Sequence, residues 1–174
     1  VAAVQGNISI PENEDVFYWE KTGLFYFTSE CEDWSRRYML GLSFVNCAIR
    51  RNIWEKNKMG FALHSEDKLF QLKIHNAGYE VLFAKDALCY HGHQYSLKSL
   101  VSRLKNEGVG WQYVKVHYGI MDCLKDIYKN KWLIRKSFQA LWNNDIRTIQ
   151  EFMFPVLRPL CIHIGNVKRN DHDR

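Results

Sequence analysis

The hydrophobic pattern is clearest in the stretch that begins at Ser65. Phe70 and Ile74 recur at the spacing of one helical face, and Ser65 precedes them as a plausible N-cap. Gly78 suits the position just after the last helical turn, where the backbone often becomes left-handed. The pattern predicts a helix over residues 66–77. Its opposite face is polar and contains Lys68, Gln71 and His75.

Strand patterns lie on both sides of this helix. Residues 1–10 form an apolar, β-branched run, and residues 40–49 form a second one that leads into a short helix at an arginine pair. After the helix, residues 79–93 fit two strand runs joined by a turn at residues 85–87. The aromatic residues 24–28 fit either a strand or the start of a helix.

From Ser96 onward the pattern is mostly helical. An apolar stripe with spacings of three and four residues predicts an amphipathic helix that ends at Gly108. The stripe consists of Leu97, Leu100, Val101 and Leu104. Further stripes predict helices around Leu124, Ile127 and Tyr128, and around Phe138, Leu141 and Trp142. We expect Pro155 and Pro159 to break the last apolar run, because proline cannot donate a helical hydrogen bond.

Composition narrows the class of protein. With 174 residues and 47% hydrophobic residues, the chain is large enough to fold around a real core. The net charge of +5 is compatible with a nucleotide, a glycan phosphate or an anionic membrane, and we expect no nucleic-acid partner. Five scattered cysteines without paired spacing argue against a zinc site or a disulfide framework, and they fit the cytoplasm. No apolar run reaches the length of a transmembrane helix.

An acidic pair, Glu66-Asp67, opens the predicted helix. Acids in a first helical turn are favoured by the helix dipole, so one interpretation is helix stabilisation without a further role. The other interpretation is a general base, since a carboxylate at the edge of a cleft can take a proton from an attacking hydroxyl.

Two histidines, His91 and His93, end the last strand run. Residues two apart on a strand point the same way, so the two imidazoles fit either a polar strand end or a site for a divalent ion or a phosphate. Two histidines alone do not complete a metal site. The Asp-His-Asp sequence of residues 171–173 resembles a metal motif, but no strand precedes it and we discount it.

Basic side chains are less specific. Arg50 and Arg51 fit a solvated helix start, and Arg103 fits either a solvated face or a phosphate clamp. The basic helices after residue 124 fit an ordinary solvated face, and they also fit an anionic membrane surface. The side chains that would dip into that membrane are Trp132, Phe138, Leu141 and Trp142.

In chain order these pieces resemble a known family. The segments FVNCAIRRNIWEKNKMGF, SEDKLFQLKIHNAGYEVLFAKDALCYHGH and SLKSLVSRLKNEGVGW resemble the second half of family 2 glycosyltransferases of the GT-A fold. The resemblance implies an α/β domain over residues 1–112, the acceptor-side half of a GT-A (nucleotide-diphospho-sugar transferase) fold. Residues 113–174 resemble the helical C-terminal extension of bacterial polysaccharide and O-antigen transferases.

The resemblance implies roles for the acceptor side. Asp67 matches the base that deprotonates the acceptor hydroxyl, and Glu66 would orient the acceptor or share that task. Asn46, Arg50 and Arg51 fall where relatives build the acceptor-side wall. The implied reaction moves a sugar from a nucleotide-sugar donor to a glycan or lipid-linked acceptor with inversion, in cell-surface polysaccharide synthesis.

The resemblance also implies roles for the donor side. His91 matches a histidine that helps to hold a divalent metal (Mn or Mg) or the diphosphate, with His93 as a further donor-binding candidate. Arg103 matches a basic position near the leaving diphosphate. The enzyme would be cytoplasmic, peripheral on the inner face of the plasma membrane.

The family's first half, with the nucleotide-binding unit and its Asp-x-Asp metal motif, has no counterpart in this sequence. We therefore expect that most metal ligands lie outside it and that the 174 residues alone are inactive. We also expect an exposed sheet edge that favours homo-oligomers.

Two alternatives stay open from the sequence. One is a non-catalytic module that binds a partner or a membrane through the basic helices. The other is a metal-dependent hydrolase that uses Glu66, Asp67, His91 and His93, although their spacing is not typical of such a site.

Overall fold

The computed structural model describes residues 1–11, 15–22, 41–60 and 64–167. In these residues the chain is mixed α/β, with one three-stranded sheet and several helices, so the predicted α/β class is confirmed. The chain divides into two compact units, Val1–Gln94 and Tyr95–Arg174. The predicted aromatic segment at residues 24–28 and the acidic tail at residues 171–173 lie outside the described residues.

The first unit is built on a sheet with the strand order β2-β1-β3. Strand β1 (Ala3–Ser9) pairs antiparallel with β2 (Cys47–Ile49) and parallel with β3 (Val81–Tyr90). Strand β1 is the central strand and is mostly buried, as its run of apolar residues predicts. The first strand prediction is therefore confirmed, whereas the run over residues 40–49 becomes a strand only in its last three residues.

Residues 85–87 form a bulge in β3, and the predicted turn there was wrong. Gly6 pairs with Ala84 and Asn7 pairs with Leu88, so three residues of β3 have no partner on β1 and the strand then continues in the same direction. The side-chain amide of Asn46 donates to the carbonyls of Asn7 and Ala87, both at 2.8 Å. This tertiary hydrogen bonding satisfies the bulged backbone, and a local pattern does not reveal it.

Three helices in the described part of this unit pack around the sheet. They are α1 (Tyr18–Lys21), α2 (Arg51–Lys56) and α3 (Glu66–Asn76). The predicted helix α3 is confirmed: Phe70 and Ile74 are fully buried in a core. The other buried members of that core are Ala2, Ala3, Leu42 and Ile53.

The ends of α3 only partly match the expectation. Gly78 has the predicted left-handed backbone, with φ of 81°. Ser65 stands at the N-cap, but its backbone is left-handed and its side chain makes no capping hydrogen bond. The first turn of α3 therefore depends on other groups for its N–H partners, which gives Asp67 a structural task described below.

Two buried glutamines hold the segment that leads into β2. Gln71 was predicted on a polar face, but it is buried and its Oε1 accepts a hydrogen bond from the N–H of Leu42 at 2.7 Å. Gln5 accepts from the N–H of Ser43 at 2.7 Å and donates to the carbonyl of Asn46 at 3.0 Å. Their amides satisfy a buried loop backbone and so fix the position of Asn46.

The second unit is helical in its described residues. Its helices are α4 (Leu97–Tyr113), α5 (Ile120–Lys129), α6 (Lys131–Trp142) and α7 (Ile149–Val167). The compact units divide after Gln94, before the boundary expected after residue 112, because α4 packs along α7.

Helix α4 continues through Gly108 to Tyr113, so the predicted end at Gly108 was wrong. A Cβ atom on Gly108 would overlap the carbonyl oxygen of Ile162, and one on Gly165 would overlap the carbonyl oxygen of Lys105. These glycines let α4 and α7 approach backbone to backbone, which is a packing reason for glycine rather than a helix-ending one.

Helix α7 also continues through Pro155 and Pro159, so the predicted break was wrong. Both prolines are buried. The helix begins with a reciprocal capping pair: Glu151 Oε2 accepts from the N–H of Thr148 at 3.0 Å, and Thr148 Oγ1 accepts from the N–H of Glu151 at 3.4 Å. Burial against α4 and this cap offset the hydrogen bonds that the prolines cannot donate.

Candidate functional site

Asp67 lies in the first turn of α3, and its carboxylate has two kinds of contact. Its Oδ1 accepts a hydrogen bond from the N–H of Lys68 at 2.7 Å, and the Lys68 ammonium lies 3.7 Å from the same oxygen. The side chain is 19% exposed, which leaves an approach for a substrate hydroxyl. Asp67 therefore helps to satisfy the open helix end and still reaches solvent.

The environment of Asp67 favours the protonated form of its carboxyl group. Burial raises the pKa of Asp67 above its usual value, and the neighbouring charge of Glu66 adds to that rise, against the opposing effect of Lys68. The thiol of Cys47 lies within electrostatic reach, since the charge of Asp67 adds to the effect of burial in raising the pKa of Cys47. A raised carboxyl pKa is the property that general bases of enzymes share.

The other predicted acceptor-side residues differ in exposure. Glu66 and Arg50 are exposed, and the side chain of Arg51 is 89% exposed and pairs with Glu55 at 2.8 Å. That pair lies one helical turn apart on α2, so Arg51 interacts with its own helix. Arg50 also anchors the chain, because its N–H donates to the carbonyl of Ala2 at 2.8 Å.

Asn46 has a structural task beside the predicted acceptor role. Its amide donates to the bulge of β3 and to β1, as described above. Next to it on β1, the side-chain oxygen of Asn7 is buried and, among the described residues, has no hydrogen-bond partner. A buried acceptor without a donor is costly to the fold, and because this oxygen is buried it is not exposed to a ligand in this structure.

The histidine pair lies where β3 leaves the sheet. The N–H of His91 donates to the carbonyl of Ser9 at 2.9 Å, which extends the pairing with β1. The rings of His91 and His93 meet edge to face with centroids 4.4 Å apart. Between them, a Cβ on Gly92 would overlap the side chain of Val16, so the histidine segment packs tightly on the residues before α1.

Glu20 is the residue that sequence reasoning missed. Its fully buried carboxylate accepts from the N–H of His93 at 2.7 Å, and its second oxygen lies 3.1 Å from His93 Nδ1. The N–H of Phe17 in turn donates to the carbonyl of His93 at 2.8 Å. Because a carboxylate only accepts, this contact favours a proton on Nδ1 and makes Nε2 the acceptor nitrogen of His93.

The only local signal for Glu20 was an acid next to strongly apolar neighbours. Val16, Phe17 and Trp19 are all buried, and an acid beside them needs a partner. Its partner, His93, is 73 positions away in the chain, so the sequence alone does not identify it.

The register of the sheet places the acid and histidine sets at different positions along β1. Cys47, near Asp67, pairs with Gln5, and because β2 is antiparallel to β1 its start lies toward the carboxyl end of β1. His91 bonds to Ser9, the last residue of β1, whereas Cys47 pairs with Gln5 in the first half of that strand. Gln5 and Ser9 are separated by roughly 13 Å along β1, given the rise per residue of a strand. Side chains from both sets can therefore face different parts of one extended ligand.

Arg103 belongs to the second compact unit. It is exposed on α4, and its guanidinium lies 5.5 Å from the centre of the Tyr95 ring. This is a cation–π distance, so Tyr95 orients the arginine. The role of Arg103 at the diphosphate stays a prediction.

The described residues do not themselves provide a metal site. Over residues 1–11, 15–22, 41–60 and 64–167 no group of three or more His, Cys, Asp and Glu side chains is arranged to hold a metal ion. His93 Nδ1 already faces Glu20, and the His91 ring packs on the His93 ring. The predicted metal role of His91 stays a prediction, and the metal-dependent hydrolase gains no support.

Comparisons with known proteins add no assignment. No protein-family model, no curated protein and no solved structure matches this chain. The resemblance to family 2 glycosyltransferases therefore rests on the sequence motifs, and the site is assessed on its own geometry.

Proposed function

We propose that this chain forms the acceptor side of an inverting glycosyltransferase that uses a nucleotide-sugar donor. The observation that carries the proposal is Asp67, a mostly buried carboxyl with a raised pKa and partial solvent access at the open end of α3. A helix-stabilising acid alone needs neither burial nor a raised pKa, since the dipole favours the charged form.

In the proposed reaction Asp67 acts as the general base. It takes the proton of an acceptor hydroxyl while that oxygen attacks the anomeric carbon of the donor sugar. The bond from the anomeric carbon to the diphosphate oxygen breaks, and the nucleoside diphosphate leaves with the electron pair. One direct displacement inverts the configuration at the anomeric carbon.

The acceptor would lie along the loop that the two buried glutamines hold. Asn46, Arg50 and Glu66 would line this wall. Arg51 would contribute only after leaving its pair with Glu55. A glycan or a lipid-linked glycan offers the many hydroxyls that such a polar wall binds.

The donor diphosphate would lie toward the histidine end of the sheet. His93, oriented by Glu20, would present Nε2, and protonation of that nitrogen would let it donate to a phosphate oxygen. The role of Arg103 near the diphosphate stays a prediction from the family resemblance. A divalent Mn or Mg ion, when bound, would neutralise charge on the leaving diphosphate.

In this proposal the three-stranded sheet is the acceptor-side part of a GT-A fold, and its product belongs to cell-surface polysaccharide synthesis. The histidine pair directly follows the carboxyl end of β3, which is where open sheets with parallel strands commonly bind ligands. The cytoplasmic location and the homo-oligomer are likewise proposals.

The experiment that tests the function class is release of nucleoside diphosphate by the natural protein that carries this sequence. A panel of sugar nucleotides is offered with and without manganese, in the presence of glycan and lipid-linked acceptors. We expect release with one donor class and only when an acceptor is present. Hydrolysis that ignores the acceptor, or no release with any donor, would overturn the proposal.

A further inference from the structure

The outer side of α5 is apolar although it is exposed. Four large apolar or aromatic side chains there are each at least half exposed: Ile120, Met121, Leu124 and Tyr128. They recur at spacings of one, three and four residues, so they share one face, and the buried Cys123 lies beside this face rather than on it. An amphipathic helix normally buries its apolar face, whereas α5 also presents an apolar stripe to solvent.

Helix α6 repeats this arrangement with larger side chains. Trp132, Phe138, Leu141 and Trp142 are all exposed, and Trp142 is 88% exposed. The buried residues of this helix, Ser137 and Ala140, are small. The Phe138 ring also meets the Phe152 ring of α7 edge to face, with centroids 5.1 Å apart. Trp132, Leu141 and Trp142 are the exposed bulky groups of this helix that carry the argument. A cluster of exposed large apolar residues marks an interaction surface.

Positive charge borders these apolar residues. Lys125, Lys129 and Arg135 are exposed, and the Lys131 ammonium lies 5.1 Å from the centre of the Tyr128 ring, where it links the two helices. We call the exposed apolar and basic residues of these two helices the α5–α6 face.

The two acidic side chains of α5 accept hydrogen bonds from the segment just before the helix. Asp126 accepts a hydrogen bond from the Tyr118 hydroxyl at 2.7 Å, and Asp122 accepts from the N–H of Gly119 at 3.0 Å. Helix α6 contains no Asp or Glu. The two helices together carry five Lys and Arg side chains and two Asp side chains, which leaves a net charge of +3. The α5–α6 face therefore combines apolar groups with an excess of positive charge.

We propose that the α5–α6 face binds the surface of a membrane that contains anionic lipids. Tryptophan and other large apolar side chains insert at the headgroup level, while lysine and arginine reach the lipid phosphates. Charge complementarity favours this occupant over a second copy of the chain, because two copies of one basic face would repel each other. No helix of the described residues is long and apolar enough to cross a membrane, so the contact is interfacial.

A second apolar stripe lies on α7, and it is different in character. Ile149, Met153 and Ile164 are exposed there, without a bordering lysine cluster. This stripe lacks the charge that selects an anionic surface, and we do not include it in the face.

Flotation of the whole chain with lipid vesicles tests the proposal. Vesicles of phosphatidylcholine alone are compared with vesicles that also contain phosphatidylglycerol. We expect flotation with the anionic vesicles and little with the neutral ones. The test does not depend on glycosyl transfer, so nucleotide release can fail while flotation succeeds, and the reverse.

Two triple variants distinguish the contribution of the α5–α6 face to vesicle binding from that of the overall charge of the chain. Lys125→Gln with Lys129→Gln and Arg135→Gln removes three exposed cations of the face. Lys56→Gln with Lys85→Gln and Lys98→Gln removes three exposed cations elsewhere. We expect the first variant to lose about 100-fold in partitioning to anionic vesicles and the second to stay within about fivefold of wild type. Equal losses in both variants would refute a specific face.

The apolar part of the face is tested with Trp142→Ser, with Tyr90→Ser as an exposed aromatic control in the other unit. We expect only Trp142→Ser to lower flotation. Two results would overturn the proposal. One is no flotation of wild type with anionic vesicles. The other is a concentration-dependent dimer in light scattering that Trp142→Ser abolishes while flotation is unchanged, which would assign the face to a second copy.

Discussion

At the scale of single residues, Asp67 has two tasks that one substitution can separate. Its Oδ1 accepts the N–H of Lys68 where the Ser65 side chain makes no cap, and the same carboxylate is the proposed base. An asparagine keeps an oxygen that accepts the N–H but has no basic carboxylate. Asp67→Asn therefore preserves the helix end and removes the proposed chemistry.

We predict that Asp67→Asn stabilises the fold at neutral pH. Burial raises the pKa of Asp67 in the folded state above its usual value, so the charged form is disfavoured by folding. This destabilisation is absent below the pKa that Asp67 has in the unfolded chain. It appears as the pH rises through the pKa that Asp67 has in the folded protein. Urea unfolding should show the variant more stable than wild type at pH 7, with the difference vanishing near pH 3. A variant less stable at pH 7 would show that the charged form stabilises the helix end.

Glu20 provides the second residue-scale prediction. In Glu20→Gln one of the two acceptor oxygens that face His93 becomes an NH₂ group, which leaves a buried N–H without an acceptor. We expect a loss of about 1–3 kcal/mol in unfolding free energy. Glu55→Gln is the control, because the exposed Arg51–Glu55 pair is worth only about 0.5 kcal/mol. Equal effects of the two substitutions would remove Glu20 as the anchor of His93.

At the scale of helices and strands, close packing decides where elements end. Helix α4 passes Gly108 because the glycine faces α7, and α7 passes two prolines because both are buried. Asn166 secures the same contact: it accepts the N–H of Tyr118 at 2.8 Å and donates to the carbonyls of Gly108 and Val116.

We predict that Gly108→Ala destabilises the helical unit. The better helix propensity of alanine offers about 1 kcal/mol, but the new Cβ would overlap the backbone carbonyl of Ile162, which cannot move aside as a side chain can. We expect the steric overlap to outweigh the gain in helix propensity. Thermal or urea unfolding should show a net loss of about 1–3 kcal/mol in unfolding free energy. Gly119→Ala is the matched control, since its Cβ would meet no atom closer than 3.6 Å. Unchanged stability of Gly108→Ala would refute the close crossing of the two helices.

These elements also show what the sequence could predict. Strand β1 and helix α3 follow from local periodicity, because Ala3, Ile8, Phe70 and Ile74 are the residues that the core buries. The bulge at residues 85–87 and the continuation past Gly108 depend on Asn46 and Ile162, which lie far away in the chain. In the site, Asp67 was found from its position in a helix turn, whereas Glu20 was not, because its partner His93 is remote.

At the scale of the whole molecule, the two compact units carry different surfaces. The first unit contains the proposed base Asp67 and the histidine pair, and the second unit has the α5–α6 face. A transferase that acts on lipid-linked acceptors would gain from membrane binding, because it would meet its substrate in two dimensions rather than three. The two proposals are compatible, but neither depends on the other.

We predict that salt weakens vesicle binding without abolishing it. Raising the ionic strength from about 0.1 M to about 1 M shortens the screening length from about 10 Å to about 3 Å, which removes most of the attraction of lysines to lipid phosphates. The apolar insertion of Trp132 and Trp142 is not screened. Flotation titrations at the two salt concentrations should therefore show a large fall with a residual bound fraction. Salt-independent binding would contradict the role of the basic residues.

The central claim is that Asp67 is the base of a glycosyl transfer. The most direct measurement is the initial rate of nucleoside diphosphate release at saturating donor and acceptor, by wild type and by Asp67→Asn, with the exposed Asp145→Asn as control. We predict a fall of roughly 10²-fold or more for Asp67→Asn, the size expected for a lost general base, without loss of folded stability. A wild-type rate in Asp67→Asn would contradict the claim and reduce Asp67 to an acid that stabilises a helix end.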